Sequence, residues 1–232
     1  MLRRVPGLRA LARGARYLVD AEYRDAVNLR LFHRDALFQT STQTWLGRYP
    51  HLFACLTARL GDGAGLRVLS FGCSTGAEVL ALRKALPKAD ITGIDISAHA
   101  IRAARRNAGG PRVRFVRGGR VSDAGDALYD AILCVAVLQR GELTELRPED
   151  CSAFITFDKF ERAIVELDAH LRPGGLLALH HSNFRLADTR VGANYTPILS
   201  SPPHAGDRAT YGPDNRLLTG APDRSILFVK AG

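Results

Sequence analysis

Val68-Leu-Ser-Phe-Gly-Cys-Ser-Thr-Gly-Ala-Glu78 decides the fold. Its opening, Arg67–Phe71, is an apolar run of strand length, Gly72 to Gly76 is a tight turn, and Ala77–Leu86 reads as a helix stopped before Pro87. A strand that enters a helix through a glycine-rich turn lets the backbone approach a ligand closely and aims helix-start N–H groups at it. Asp95 stands 19 residues after Gly76, at the end of a second apolar run, Asp90–Ile94. A carboxylate there can accept both hydroxyls of a ribose, the logic of dinucleotide-binding folds. Turn, spacing and acid together predict a cofactor that contains a nucleoside.

Downstream, strand and helix patterns keep alternating. Ser97 is placed to cap a helix that runs through Asn107 and ends at Gly109-Gly110. Val113–Val116 and Ala131–Val137 read as further strands. Phe157, Phe160, Ile164, Leu167 and Leu171 recur every three to four residues, the signature of a long amphipathic helix. Pro173-Gly-Gly175 then turns the chain into Leu176–His180. This alternation predicts a doubly wound, mostly parallel α/β sheet of the seven-stranded type, covered on both faces. Tyr195–Leu199 hints at one more strand, and Ser225–Lys230 is an apolar strand with no helix after it. Such a closing strand is expected to run antiparallel, at or beside the edge.

Upstream, residues 1–62 form a helical N-terminal extension or cap, and residues 63–232 the cofactor-binding domain, with 182–224 as an acceptor-side insertion. Leu8, Leu11, Ala12, Ala15, Leu18 and Val19 fall at helical spacing, as does the cluster from Trp45 to Leu60, while Gln39 to Thr44 reads as a polar loop. Residues 1–19 hold five arginines and no acid, although the whole chain is +9. The body is therefore only mildly basic, and with 7% aromatic residues it lacks the broad basic, aromatic-laced face of a nucleic-acid enzyme. The arm is expected to be a solvated basic helix, its alternative a peripheral contact with an acidic partner or membrane surface. Four isolated cysteines with no paired spacing argue against zinc and disulfides and fit a reducing cytoplasm.

The dinucleotide fingerprint GxGxxG is not met, since Ser74 stands at its third position. Over residues 66–181 the chain resembles class I S-adenosylmethionine-dependent methyltransferases. The likeness is carried by residues 68–78, by Ile91-Thr-Gly-Ile-Asp95-Ile-Ser, by Tyr129-Asp-Ala-Ile-Leu133 and by Leu171-Arg-Pro-Gly-Gly-Leu-Leu177. Two positions depart from the family pattern: Ser70 stands where an acid is usual, and Ser74 where glycine is frequent. Gly-Cys-Ser-Thr-Gly followed by Glu78 is similar to the cofactor loop of chemotaxis-receptor glutamate methyltransferases.

The resemblance implies S-adenosylmethionine as cofactor, bound by Gly72, Cys73, Ser74, Thr75, Gly76 and Asp95. It also implies contacts of Glu78 with the methionine amino group, of Ile96 with adenine, and of Gly119 with the adenine edge. Asp123 joins them only if it reaches back to that loop. Val135 to Gln139 would line the sulfonium and acceptor side, and Arg48 would meet the methionine carboxylate. His180 and His181 end a strand at the sheet's ligand-binding edge and are the candidate general bases; strand alternation lets at most one face the site. Asn183 lies just beyond, and Tyr195 to His204 are expected to close over the histidines. The expected enzyme transfers a methyl group to a small-molecule acceptor. Its rivals are a protein-carboxylate methyltransferase and a binding protein without methyl transfer.

Overall fold

The computed structural model describes residues 6–39, 47–202 and 208–232, with side chains from Leu11 onward. Three helices come first: α1 (Pro6–Val19), α2 (Ala21–Phe32) and α3 (Pro50–Leu60). The α/β body follows as β1 (Arg67–Phe71), α4 (Ala77–Ala85), β2 (Asp90–Asp95), α5 (Ala98–Ala108), β3 (Val113–Arg117) and β4 (Tyr129–Val135). It continues with α6 (Glu142–Leu146), α7 (Phe157–Ala169), β5 (Leu171–His180), β6 (Tyr195–Ser200) and β7 (Ser225–Lys230). The expected loop at residues 40–44, Trp45 and His204 lie outside the described residues.

The seven strands form one sheet in the order β3-β2-β1-β4-β5-β7-β6. β1 to β5 pair in parallel, whereas β7 runs antiparallel between β5 and β6. The closing strand is thus one place in from the edge, and the Tyr195 segment is the edge itself. Apolar side chains pack on both faces. One layer joins α7 (Phe157, Phe160, Ile164, Leu167) to Leu69, Ile132, Leu177 and Phe228. The other joins α3 (Leu52, Leu56), α4 (Val79, Leu82) and α5 (Ile101, Ala104) to Val68, Ile91 and Leu133. Burial on both faces explains why these strands read as continuous apolar runs rather than alternating ones.

Local chemistry sets the ends. The Ser97 hydroxyl accepts the Ala100 N–H at 2.9 Å at the start of α5, and Thr156 caps α7 through the Lys159 N–H. Two elements differ from the sequence reading by more than one residue at an end. β4 stops at Val135 because Ala136 takes a φ of +60°, which turns the chain out of the strand. The Pro173-Gly-Gly175 turn is not a separate connection before β5 but a bulge inside it. The register jumps from Tyr129 opposite Leu171 to Ala131 opposite Leu176, with Gly174 at φ +73° absorbing the extra residues.

Candidate functional site

A cleft of about 800 Å³ opens at the carboxyl edge of β1, β2 and β4. Its floor is the Gly72–Gly76 turn. Gly72 has φ +74°, and a Cβ there would lie 2.4 Å from Val137, so the turn and the loop after β4 approach each other as only glycine allows. The backbone N–H groups of Gly72 and Cys73 both donate to the Ile94 carbonyl at 2.8 Å, and that of Gly76 to Cys73. The first two donors hold the turn to the end of β2 and the third closes the turn on itself, so none of them is offered to a ligand. Cys73 lines the cleft while its side chain packs into the layer with α4 and α5, and that burial drives its thiol pKa up.

Asp95 is fixed from two sides. Oδ2 accepts the Ser74 N–H and Oδ1 the Ser97 N–H, each at 2.8 Å. Each oxygen keeps a second lone pair, so the carboxylate can still receive two hydroxyls. Its burial raises its pKa, and those two backbone donors pull the other way. Ile96 lines the cleft next to it. Gly119 faces Ile96, and a Cβ there would sit 2.8 Å from Ala36. Asp123 does reach back to this loop, but it accepts the Gly119 and Arg120 N–H groups at 2.9 and 3.0 Å and does not line the cleft.

Glu78, in the first turn of α4, carries the second carboxylate. The Ser70 hydroxyl donates to its Oε1 at 2.6 Å, joining the end of β1 to the first turn of α4. Burial raises the Glu78 pKa to about 7, opposed by the Ser70 hydrogen bond and by Arg48. Arg48 lines the same end of the cleft, its guanidinium 5.0 Å from the centre of the Tyr49 ring. An ammonium and a carboxylate on one ligand fit this pair, whereas a diphosphate would meet an acid.

The helices before the α/β body, expected as an extension or cap, contribute walls to the cleft. Asp25, Leu29 and Arg30 of α2 line the cleft, and Asp25 accepts the Ser97 hydroxyl, tying α2 to the start of α5. Ala36, Leu37 and Phe38 follow. Lys159 of α7 donates to the carbonyls of Arg34 and Leu37 at 2.9 and 2.8 Å, pinning that linker in place. Such long-range ties between a lysine and two carbonyls leave no local sequence signal.

Val135, Val137 and Gln139 line the cleft with Tyr49, Phe53 and Arg208. His180 and His181 do not; they line a separate cavity of about 80 Å³. Strand alternation fails at this pair because His181 has φ +57°, leaving the strand so that the two rings stack at 3.9 Å. The Tyr49 ring packs on both, at 5.0 and 5.5 Å. Desolvation, with Arg208 and Arg48 nearby, lowers the pKa of His180 to about 4 and that of His181 to about 3. His181 Nδ1 accepts the Arg208 Nε–H at 2.8 Å. Asn183 is fully buried, receiving the Arg140 N–H at 2.6 Å and donating to the Ala209 carbonyl at 3.0 Å, a structural tie. Tyr195 belongs to the edge strand, where its hydroxyl donates to Asp168 at 2.8 Å, far from any closure over the histidines. Ser201 and Pro202 do line the histidine cavity.

A mostly parallel sheet in this order, with a glycine turn after β1 and an acid after β2 that can accept ribose hydroxyls, has the layout of nucleoside-cofactor α/β domains. Residues 68–175 match the family model described as a methyltransferase domain. The release factor glutamine methyltransferase of Deinococcus radiodurans is 32% identical over 123 residues, covering 49% of this chain and 44% of that protein. The crystal structure of TrmN from Thermus thermophilus is similar over 86% of this chain and 52% of its own, at 20% identity and a TM-score of 0.50. A methyltransferase from Thiobacillus denitrificans in complex with S-adenosyl-L-homocysteine is 25% identical over 59% of this chain and 48% of its own, at a TM-score of 0.40. The chain spans about half or less of the length of each of these proteins. Residues 68–175 are thus similar to a methyltransferase domain, a likeness that fits S-adenosylmethionine as cofactor.

Proposed function

We propose that this chain transfers the methyl group of S-adenosylmethionine to a small-molecule acceptor. The observation that carries the reading is the cleft itself. At about 800 Å³ it lies in the upper part of the range for small-molecule sites. Cofactor-side groups (Asp95, Ile96, Glu78) and a second set of walls (Tyr49, Phe53, Val137, Gln139) line one continuous space. In this reading Asp95 takes the ribose hydroxyls and Ile96 packs on adenine. Glu78 receives the amino group, Arg48 the carboxylate, and the Val135–Gln139 loop faces the sulfonium.

The cofactor supplies a methyl group on a positively charged sulfur, which is reactive without further activation. The protein's work is to hold the acceptor atom in line with that methyl and to keep water away, an effect of about 7–11 kcal/mol in well-oriented systems. No base is assigned, because both histidines sit outside the cleft and the nitrogen His181 offers is already hydrogen-bonded to Arg208. The cover that α2 lays beside the cofactor end speaks against a protein side chain as acceptor. Calorimetric titration tests the reading: S-adenosylhomocysteine should bind and NAD should not. Tighter binding of NAD would overturn it.

A further inference from the structure

Arg208 is, among the described residues, the one side chain that lines both the main cleft and the small histidine cavity. Its Nε is tethered to His181 Nδ1 at 2.8 Å, and its Nη1 lies 3.5 Å from the Thr144 hydroxyl. Nη2 has no hydrogen-bond partner among the described residues, and no carboxylate there lies within ion-pair distance. A half-buried cation without an acid is costly unless something else neutralises it. The described surroundings add none of the missing charge. His180 and His181 are neutral at pH 7, and the neighbouring cation is Arg48. Glu78 is hydrogen-bonded to Ser70, while Asp95 and Asp25 are tied to Ser97 at the far end.

We infer that Arg208 is the anion-recognition residue of the acceptor subsite, and that the methyl acceptor carries a carboxylate as its handle. The inference rests on the methyl-transfer reading above, in which Arg48 is matched by the methionine carboxylate and one guanidinium is left over. A single carboxylate suits that remainder in charge. The planar fork of Nη1 and Nη2 also suits it in shape, since guanidinium binds carboxylate through two parallel hydrogen bonds. His181 is then a positioning residue: its turn out of β5 sets the ring where it can hold the guanidinium by Nε and leave the fork facing outward.

The test uses purified protein and benzoate as the probe, with benzamide as its neutral isostere. Wild-type protein is first titrated with S-adenosylhomocysteine; no binding would overturn the methyl-transfer reading and this inference with it, before benzoate is added. On the saturated protein, benzoate should bind at least about tenfold more tightly than benzamide. Arg208→Gln should bring that ratio close to one while S-adenosylhomocysteine affinity stays within about threefold, and Arg208→Lys should keep part of it. Equal binding of the two probes by wild type overturns the inference without any variant. So does a ratio unchanged in a folded Arg208→Gln protein. A tenfold loss of S-adenosylhomocysteine affinity in that variant overturns it too, by placing Arg208 on the cofactor.

Discussion

At the residue scale the two carboxylates of the cleft do different work because their surroundings differ. Asp95 is oriented by two backbone N–H groups and stays available as an acceptor. Asp95→Ala is expected to weaken S-adenosylhomocysteine binding by about 2 kcal/mol or more, measured by calorimetry, because two hydroxyl bonds to a charged acceptor are lost. Glu78 behaves otherwise. Its pKa, raised by burial to about 7, lies above its ordinary 4.5, so the folded protein binds this proton more tightly than the unfolded chain does. The stability it contributes is complete at low pH and is lost as pH rises from about 4.5 through 7. A ligand ammonium beside it reverses that preference. S-adenosylhomocysteine binding near pH 6 should therefore release a proton, seen as a dependence of the binding enthalpy on buffer ionisation heat, and should tighten toward pH 7.5. Glu78→Gln should abolish the proton release; an unchanged release would assign it to another group.

At the scale of elements, α1 and α2 are neighbours with different attachments. α1 presents Leu11, Leu18 and Val19 to solvent, each more than 70% exposed, while α2 lines the cleft and is tied to α5 through Asp25. Deleting residues 1–16 is expected to leave S-adenosylhomocysteine affinity within about threefold, whereas deletion through residue 33 should lower it at least about tenfold. The same contrast marks what could be read beforehand. Strands and helices of the body were legible because each carries a local signal: an apolar run for β1, the Ser97 cap for α5, and the Phe157 to Leu167 period for α7. The glycine turn and Asp95 were legible for the same local reason. Positions that depend on distant partners were not. The grip of Lys159 on residues 34 and 37, the Ser70–Glu78 bond and the Arg208–His181 bond join segments far apart in sequence or across a turn. The histidines misled because alternation presumes an unbroken strand, and His181 leaves it.

For the molecule as a whole, binding energy and folding energy are linked through the cleft, since its walls come from α2, the Tyr49 region, the sheet edge and Arg208. S-adenosylhomocysteine at about one hundred times its Kd should stabilise the fold by about 2.7 kcal/mol, raising Tm by roughly 5–10 °C for a chain of this size. Asp95→Ala at the same ligand concentration should show about a third of that shift or less by differential scanning fluorimetry.

The antiparallel place of β7 between β5 and β6 has a consequence for the order of events during synthesis. β6 leaves the ribosome well before β7, yet on the sheet side it pairs with β7 and not with β5. The five parallel strands can assemble as soon as β5 emerges, but β6 then waits as an unpaired segment until Ser225–Lys230 arrives to bridge the gap. Nascent chains halted before residue 225 should thus hold an assembled parallel half and a protease-sensitive stretch around Tyr195–Ser200, with protection there appearing in a single late step.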